Sequence, residues 1–395
     1  MNGLIQLFTV CAMNLRNLPA RLGASAVAVF GIACVVGVFV AVLSMASGFQ
    51  RTMTLAGAED VALILRSGAS SEMSSNVEAQ DVQLIEHLPG LQRQEGRAIG
   101  SAELSVVVTL PMRSGDTDAN APLRGVQSGA FEVRRNIEII EGRHFEPGRS
   151  ELIVGRGAHH QFADLDVGAT VRAGPTEWTI VGIFSAGGGA SESELWADAS
   201  TVQSAYRRGN GFQSMRVLLA SEQALDELRG AIDSDPRLDL DVHLESDYMA
   251  EQAQPLSQFI RTLGYPLAVL MALGAVFGAI NTMYASVSAR TREIATLRAL
   301  GFGALPVALS TLIESILLAL IGGVLGAVVV FLIFNGYTVS TINGASFSQV
   351  VFDFAVTGDL LYQGLVAAVI IGFIGGLFPA VRAARLPVAN ALRET

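Results

Sequence analysis

Lysine is missing from this sequence: the 26 lysine-plus-arginine residues among its 395 are all arginines. A P-loop needs the lysine of GxxxxGK[ST] to hold the β- and γ-phosphates of a nucleotide, and that motif does not occur here. The sequence therefore excludes nucleotide hydrolysis by a P-loop within these 395 residues. We expect no bound cofactor in this chain.

Cysteine, histidine and charge are also scarce. Cys11 and Cys34 lie in or before the first apolar run, so we expect no disulfide in the segment that follows. His159 and His160 are adjacent, but no cysteine or paired carboxylate stands at ligand spacing, which argues against a metal site. No serine lies in a GxSxG elbow. Because no catalytic constellation is present, we predict a chain that is not itself an enzyme.

Long apolar runs dominate what the sequence does contain. Its residues are 51% hydrophobic and 16% charged. Residues 22–48, 262–288 and 360–380 carry no charge, and residues 306–334 carry only Glu314. About 20 helical residues cross a bilayer core of ~30 Å. We therefore predict an α-helical membrane protein with four transmembrane helices, at 21–48, 262–288, 306–334 and 360–380.

The first run is too long for the 7–15-residue core of a signal peptide, so we expect an uncleaved anchor. Arginines indicate its orientation. The N-terminal segment, the loop between the second and third spans and the tail together hold 8 arginines and 2 acidic residues, whereas residues 49–261 hold 18 arginines and 31 acidic residues. The positive-inside rule then predicts cytoplasmic termini and an extracytoplasmic segment 49–261, with four spans closing the topology. We expect a bacterial inner membrane and, at a net charge of −10, no nucleic-acid partner.

The segments between the spans have distinct characters. Leu4, Leu7, Cys11, Leu15 and Leu18 form one apolar helical stripe, which predicts an amphipathic helix on the membrane surface. The remaining assignments are a cytoplasmic amphipathic helix at 1–20, an extracytoplasmic α+β domain at 49–261, a short cytoplasmic helix at 289–305, an extracytoplasmic loop at 335–359 and a cytoplasmic tail at 381–395.

Within residues 49–261, alternating and β-branched runs predict strands, and longer periodic stretches predict helices. The glycine- and serine-rich stretch 185–194, SAGGGASESE, predicts a flexible acidic loop. The predicted strands are 61–66, 103–110, 137–140, 151–154 and 177–184, and the predicted helices are 78–88 and 221–232.

Glycines recur one turn apart in three of the spans, and such pairs allow helices to approach closely in lipid, within one chain or across a dimer. The pairs expected to pack are Gly274/Gly278, Gly322/Gly326 and Gly372/Gly376.

Glu314 lies about 12 Å along its helix from Pro306, inside the bilayer. A carboxylate there costs a few kcal/mol unless it is paired or hydrated. We expect a polar contact with another helix or with the arginines of the preceding loop, which would fix the bundle geometry. A glutamate that reaches out to solvent is the alternative.

The stretch 288–306, SARTREIATLRALGFGALP, has more structure than a simple turn requires. Ile294, Leu297 and Leu300 alternate with charged residues, and Gly301 is placed to end a helix. A short structured cytoplasmic helix suggests a docking element for a separate motor.

Three strings support a family resemblance. Residues 278–302, GAINTMYASVSARTREIATLRALGF, and 379–394, PAVRAARLPVANALRE, resemble the two signatures of the MacB/FtsX-type ABC transporter permeases. Residues 137–184, with IEIIEGRHFEPG and TIVGIF, are similar to the MacB-like periplasmic core domain of that family. The C-terminal signature residues are Pro379, Arg382, Arg385 and Pro387.

The resemblance implies a permease subunit that pairs with a second, identical or different permease and binds cytoplasmic ABC ATP-binding subunits, which would hold ATP and magnesium. Full-length MacB carries a fused ATPase, so we expect the motor of this permease to be a separate subunit. Helix movement would transmit its closure to the outer domains. The residues expected to couple to the ATPase are Arg290, Arg292, Glu293, Leu297, Arg298 and Gly301.

Three functions fit this resemblance. Export or efflux with a periplasmic adaptor protein is the first. Lipoprotein release by a Lol-type permease and FtsX-like regulation of cell-wall hydrolases without transport are the alternatives. The sequence does not separate them.

Overall fold

The computed structural model describes residues 3–17, 22–115, 117–221, 223–344 and 347–387. The chain divides into two compact units. The helical unit comprises Met1–Ser47, Gln258–Tyr337 and Phe354–Thr395, and the sheet unit comprises Gly48–Ser257 and Thr338–Asp353.

In the described part of the chain, four helices are long and apolar enough to cross a membrane. They carry the four predicted spans and are accompanied by two shorter helices. The six are α1 (Gly3–Asn17), α2 (Leu22–Thr54), α8 (Glu245–Ala289), α9 (Thr291–Ala299), α10 (Ala304–Phe334) and α11 (Gly358–Ala384).

Two of the long helices exceed the predicted spans. α2 continues to Thr54 instead of ending at 48, and α8 begins at Glu245 instead of 262. Apolarity marks the part of a helix that suits lipid, whereas the helix itself continues until its backbone is interrupted. Glu245 and Asp247 lie in the first turn of α8, where acidic side chains favour the positive end of the helix dipole.

The helical unit packs α2, α10 and α11 through apolar faces. Ile32 and Val40 of α2 are buried in one cluster with Ala319 of α10 and with Ala368 and Ile371 of α11. α10 and α11 also contact each other extensively, with Gly372 and Gly376 of α11 close to Ala319 and Ser315 of α10.

The sheet unit is built on one mixed sheet, formed by ten strands among the described residues, in the order β12-β1-β11-β4-β5-β10-β7-β9-β6, with β8 paired to β9. The β5–β10 and β7–β9 pairs are parallel, and the other pairs are antiparallel. The strands of this sheet are β1 (Val61–Arg66), β4 (Gly100–Pro111), β5 (Asp118–Val126), β6 (Glu138–Gly142), β7 (Glu151–Gly155), β8 (Thr170–Ala173), β9 (Thr176–Ser185), β10 (Leu195–Asp198), β11 (Ser214–Leu218) and β12 (Leu240–Leu244).

Each predicted strand is found in this sheet, with bounds that shift by up to three residues. Helices 78–88 and 221–232 are found, the first ending earlier than expected. The helices of this unit are α3 (Ala79–Ile85), α4 (Ala130–Val133), α5 (Arg156–Gln161), α6 (Ala199–Ala205) and α7 (Ala224–Ser234), and a small separate ribbon joins β2 (Arg93–Gln94) to β3 (Arg97–Ala98). Both tryptophans of the chain, Trp178 and Trp196, are fully buried in this unit.

The segment between the third and fourth spans is more than a loop. It forms a hairpin of β13 (Thr338–Asn343) and β14 (Ser348–Asp353), and the hairpin belongs to the sheet unit. The Val351 amide donates to Ser193 Oγ over 2.8 Å, and Gln161 Nε2 donates to Ser340 Oγ over 3.0 Å. Val350 and Phe352 are buried.

Residues 185–194 form an acidic loop, as predicted, with a 3₁₀ turn at Ala190–Ser193, but one of its acidic side chains anchors the loop. Glu192 is buried there and accepts hydrogen bonds from Ser185 Oγ and from the amides of Ala186 and Gly188, at 2.8–2.9 Å. Its pKa is lowered, because these hydrogen bonds and Arg156 outweigh the opposing effect of burial. A carboxylate with amide donors fixes a loop instead of keeping it solvated.

Candidate functional site

A tight turn of the helical unit holds the predicted coupling residues. α8 ends at Ala289, α9 covers Thr291–Ala299, and α10 begins at Ala304. Glu293 in the first turn of α9 and Arg298 in its last turn both suit the helix dipole. Gly301 has φ +92°, a left-handed conformation that favours glycine and ends the helix, as the sequence predicted.

Arg290 faces inward, so the expectation that it contacts an ATPase needs correction. Its side chain is 4% exposed, and its Nη2 donates to Glu314 of α10 and, over 3.1 Å, to Ser286 Oγ of α8. A buried guanidinium needs a counter-ion, and Glu314 supplies it. The polar contact expected for Glu314 with a loop arginine is present, and it joins the end of α8 to α10.

Arg298 is also engaged within the chain. Its Nη1 donates to the Ala384 carbonyl over 2.6 Å, at the last residue of α11. The final carbonyls of a helix have no partner inside the helix, so a cation placed there satisfies one of them. Arg298 therefore holds α9 to the end of α11, and Leu297 beside it is half-buried.

Three of the predicted coupling residues remain exposed: Arg292, Glu293 and Gly301. The structure adds Leu300, the residue that caps α9, whose side chain is 73% exposed. The sequence showed Leu300 as one of the apolar residues of this stretch but did not single it out as exposed. We call Arg292, Glu293, Leu300 and Gly301 the exposed α9 surface.

The N-terminal helix α1 packs against the same turn. Gln6 Oε1 accepts a hydrogen bond from the Gly303 amide over 3.2 Å, and Val10 is buried. Of the predicted stripe, Leu7 and Cys11 are half-buried, while Phe8 is exposed. The side chains of Leu4, Leu15 and Leu18 lie outside the described residues.

Two of the three glycine pairs lie at helix contacts. A Cβ on Gly322 or Gly326 would lie 2.6 Å or 2.3 Å from a backbone carbonyl oxygen of α2. A Cβ on Gly372 or Gly376 would lie 2.5 Å or 2.6 Å from a Cβ of α10.

The pair Gly274/Gly278 differs from these two. Beyond its own stretch of helix, a Cβ on either glycine would have no described atom within 4 Å. Of the two kinds of packing expected for this pair, within the chain or across a dimer, the described residues supply no contact of the first kind.

The C-terminal signature lies at the end of α11. Pro379 is buried inside the helix, and the Arg382 guanidinium carbon lies 5.3 Å from the ring centre of Tyr284 on α8. Arg385 caps the helix and is exposed, as is Pro387. Residues 388–395 lie outside the described part of the chain.

A second feature, which sequence reasoning missed, is buried in the sheet unit. Four carboxylates and three guanidiniums from separate elements meet there. We call these seven side chains the ion network: Glu72, Glu103, Arg124, Arg134, Glu194, Arg216 and Glu245.

Glu103 of β4 is the centre of the ion network. Its carboxylate accepts two hydrogen bonds from Arg134, at 2.6 Å and 2.8 Å, one from Arg216 at 2.8 Å and one from Arg124 at 3.2 Å. Burial would raise the pKa of Glu103, but Arg134 and Arg216 outweigh burial and lower it to about 2. Glu103 is therefore ionised at neutral pH.

The remaining pairs extend the network outward. Glu72 accepts from Arg124 at 2.7 Å and from Arg216 at 2.6 Å, and these guanidiniums hold its pKa well below the usual range despite burial. Glu194 takes two bonds of 2.7 Å from Arg124 and a third of 2.7 Å from Trp196 Nε1.

Glu245, the first residue of α8, accepts from Arg216 Nε at 2.6 Å and from the Ala58 amide at 3.2 Å. Each carboxylate of the network is thus engaged by a guanidinium. The network offers no free acid or base and fixes the geometry of the elements that meet there.

No group of three or more histidine, cysteine, aspartate or glutamate side chains in the described residues is arranged to hold a metal ion. His159 instead pairs with Asp166, at 2.8 Å.

Two family models match the chain. The MacB-like periplasmic core domain matches residues 25–235, and the FtsX-like permease C-terminal domain matches residues 266–388. The first alone covers more than half of the chain.

Curated relatives agree with both matches. The macrolide export ATP-binding/permease protein MacB 1 of Aeromonas hydrophila is 24% identical over 93% of this chain and 57% of its own length. MacB of Vibrio parahaemolyticus is 24% identical over 89% of this chain and 59% of its own length. The chain thus spans under three-fifths of the length of these relatives.

Among solved structures, the periplasmic region of MacB from Actinobacillus actinomycetemcomitans is similar to half of this chain, with 17% identity, a TM-score of 0.38 and 93% of that structure covered. The two family matches and the four apolar helices agree with the sequence signatures. The chain belongs to the MacB-like, FtsX-containing family of ABC transporter permeases.

Proposed function

We propose that this chain is the permease subunit of an export complex, driven by a separate ATP-binding subunit that docks on the exposed α9 surface. The observation that carries the proposal is the pair of contacts that fasten α9. Arg290 binds Glu314 of α10, and Arg298 binds the end of α11, whereas Arg292 and Leu300 remain open to a partner. A displacement of α9 would therefore be transmitted to α10 and α11.

α8 offers a path along the chain toward the sheet unit. It is continuous from Glu245, in the ion network, to Ala289, beside α9. A long helix resists bending, so movement at one end is carried to the other. We propose that ATP-driven closure of the motor moves the outer domains by this mechanotransmission.

Export is the function favoured among the three that fit the family. The relatives described above are named for macrolide export. This chain would recognise the transported molecule together with a second permease copy and a periplasmic adaptor protein. The uncovered face of α8, with Gly274, Phe277 and Gly278, supports the second copy, because small residues let helices pack closely in lipid.

Orientation in the inner membrane is part of the proposal and rests on arginine placement. In a variant without Cys11 and Cys34, Arg208→Cys should react with a membrane-impermeant maleimide on intact spheroplasts. Thr296→Cys should react only after permeabilisation. The reverse pattern would overturn the orientation and, with it, the docking site.

The coupling test uses the tagged full chain, purified from its native membranes. We expect an ATP-binding protein to copurify, identified by mass spectrometry. After reconstitution, Arg292→Glu with Leu300→Ser should reduce ATPase activity to that of the ATP-binding protein alone. Arg208→Glu, an exposed arginine of the sheet unit, is the matched control. Full stimulation in the double variant would contradict the docking site.

A further inference from the structure

The helical unit has an open groove between the ends of α8 and α11, and no side chain of the described residues fills it. It encloses about 700 Å³, within the ~300–1,000 Å³ of ordinary ligand sites. The residues that matter are Tyr284 on α8 and Leu377, Phe378, Val381, Arg382 and Arg385 on α11 and at its end. We call these six residues the α8–α11 groove.

The groove is apolar at one end and cationic at the other. Leu377, Phe378 and Val381 are exposed, and Phe378 is the most exposed of the three, at 56%. Arg382 and Arg385 follow toward the end of α11, and both are exposed. Neither arginine has an acidic partner within the residues that the structure describes. From Leu377 to Arg385 the helical rise is about 12 Å.

This pattern matches an amphiphile with an anionic head. Arg382 is held over the Tyr284 ring, which directs its guanidinium without neutralising it. The apolar wall continues into the part of α11 that is suited to lipid. Basic pockets between transmembrane helices are typical sites for anionic phospholipid head groups.

A protein partner fits the groove less well. A second copy would have to bring carboxylates to the arginines. In the described helical unit Glu314 is already paired with Arg290, and Asp359 lies at the opposite end of α11. Glu293, the third described carboxylate of that unit, lies in the first turn of α9, on the surface where we propose that the ATP-binding subunit docks. A soluble partner could reach Arg385, but not an apolar wall that lies about one to two turns further along a membrane helix.

We propose that the α8–α11 groove binds one anionic phospholipid, with its phosphate between Arg382 and Arg385 and its acyl chains along Leu377, Phe378 and Val381. The lipid would fill the space beside the end of α11 to which Arg298 is bonded. It would thereby support the position of α9.

The test is native mass spectrometry of the full chain in a mild detergent, after incubation with phosphatidylglycerol or with phosphatidylcholine of the same acyl chains. We expect phosphatidylglycerol to be retained at least tenfold better, since each arginine near an anionic lipid contributes on the order of 1 kcal/mol. Arg382→Gln with Arg385→Gln should abolish the preference, whereas Arg208→Gln, at an exposed arginine of the sheet unit, should leave it unchanged.

Equal retention of the two lipids, or an unchanged preference in the double variant, would overturn the proposal. The proposal would also be overturned if the double variant lost a dimer but kept its lipid, since the groove would then bind a second copy. Monodispersity by size exclusion checks the fold. If the double variant aggregates, the two single variants decide, because each replaces one exposed side chain and should lower the preference on its own.

Discussion

Arg216 Nε donates to Glu245 Oε1 over 2.6 Å, and both side chains are 1% exposed. Arg216 lies in β11, and Glu245 begins α8. The second oxygen of Glu245 accepts from the Ala58 amide, in the segment between α2 and β1. The buried carboxylate of Glu245 thus links the sheet to the start of α8 and to the segment that follows α2.

Removing the charge of Glu245 should destabilise the sheet unit. In Glu245→Gln, Arg216 keeps Glu72 and Glu103, but its Nε loses a charged acceptor, and losing a hydrogen bond to a charged group costs about 1.5–3 kcal/mol. The measurement is denaturant unfolding of the full chain in detergent, followed by tryptophan fluorescence, since Trp178 and Trp196 both lie in this unit. The control is Asp247→Asn, an exposed acid of the same helical turn, which should cost about 0.5 kcal/mol. Equal losses in the two variants would show that the pair is unimportant.

Acid should weaken the same unit through Glu103. Its pKa is about 2 in the folded chain and near 4.5 when unfolded. A depressed folded pKa gives stability that is present above pH ~4.5 and is lost as pH falls from there through ~2. The denaturant midpoint should therefore fall between pH 5 and pH 3, and less steeply in Glu103→Gln.

Glu141→Gln, at an exposed position on β6, serves as the control for this pH series and should retain the native slope. A Glu103→Gln variant with an unchanged slope would refute the role of Glu103.

In the helical unit, Arg290 and Glu314 should behave as a coupled pair. Arg290→Met or Glu314→Leu alone leaves one buried charge, so each should lower the temperature at which the detergent-solubilised chain aggregates. The double variant should recover much of this loss, because replacing a whole buried pair with apolar residues is often neutral. Size-exclusion profiles after heating measure the effect. Additive losses in the double variant would indicate that the two side chains act independently.

Glycine-to-alanine substitutions should distinguish packed helix faces from uncovered ones. Gly326→Ala would place a Cβ 2.3 Å from the Ala33 carbonyl oxygen, so α2 and α10 would have to separate. Gly31→Ala, on α2, would bring its Cβ within 4 Å of no described atom beyond its own stretch of helix and should stabilise α2 by roughly 0.5–1 kcal/mol through helix propensity. The same heating assay compares the two. A tolerated Gly326→Ala would argue against this packing.

The sequence predicted the helices and strands better than the contacts between them. Four spans and the main strands follow from apolar runs and alternation, because these patterns reflect local burial. The end of α9 at Gly301 was also predicted from local sequence, because glycine readily adopts the left-handed backbone conformation that ends a helix. A polar partner for Glu314, on another helix or among the loop arginines, was expected because a carboxylate inside the bilayer is costly unless it is paired or hydrated.

The ion network was not predicted, because its members come from distant segments of the chain. Glu103 and Arg216 do interrupt apolar strands, in SAELSVVV and SMRVLL, and such charges mark buried ion pairs or ligand sites. Only the order of strands shows that β4 and β11 are neighbours. Helical periodicity likewise predicted an apolar and a charged face for α9. It could not show that Arg290 bonds to Glu314 or that Arg298 bonds to the Ala384 carbonyl.

The β13–β14 hairpin imposes a sequence of events on biosynthesis. The sheet unit takes its last 16 residues, Thr338–Asp353, from beyond two further spans. A ribosome therefore completes α8, α9 and α10 before it supplies the strand that covers Ser193. Until translation reaches Asp353, residues 48–257 lack the hairpin that packs on them, so the sheet unit reaches its complete fold only after α10 has been synthesised.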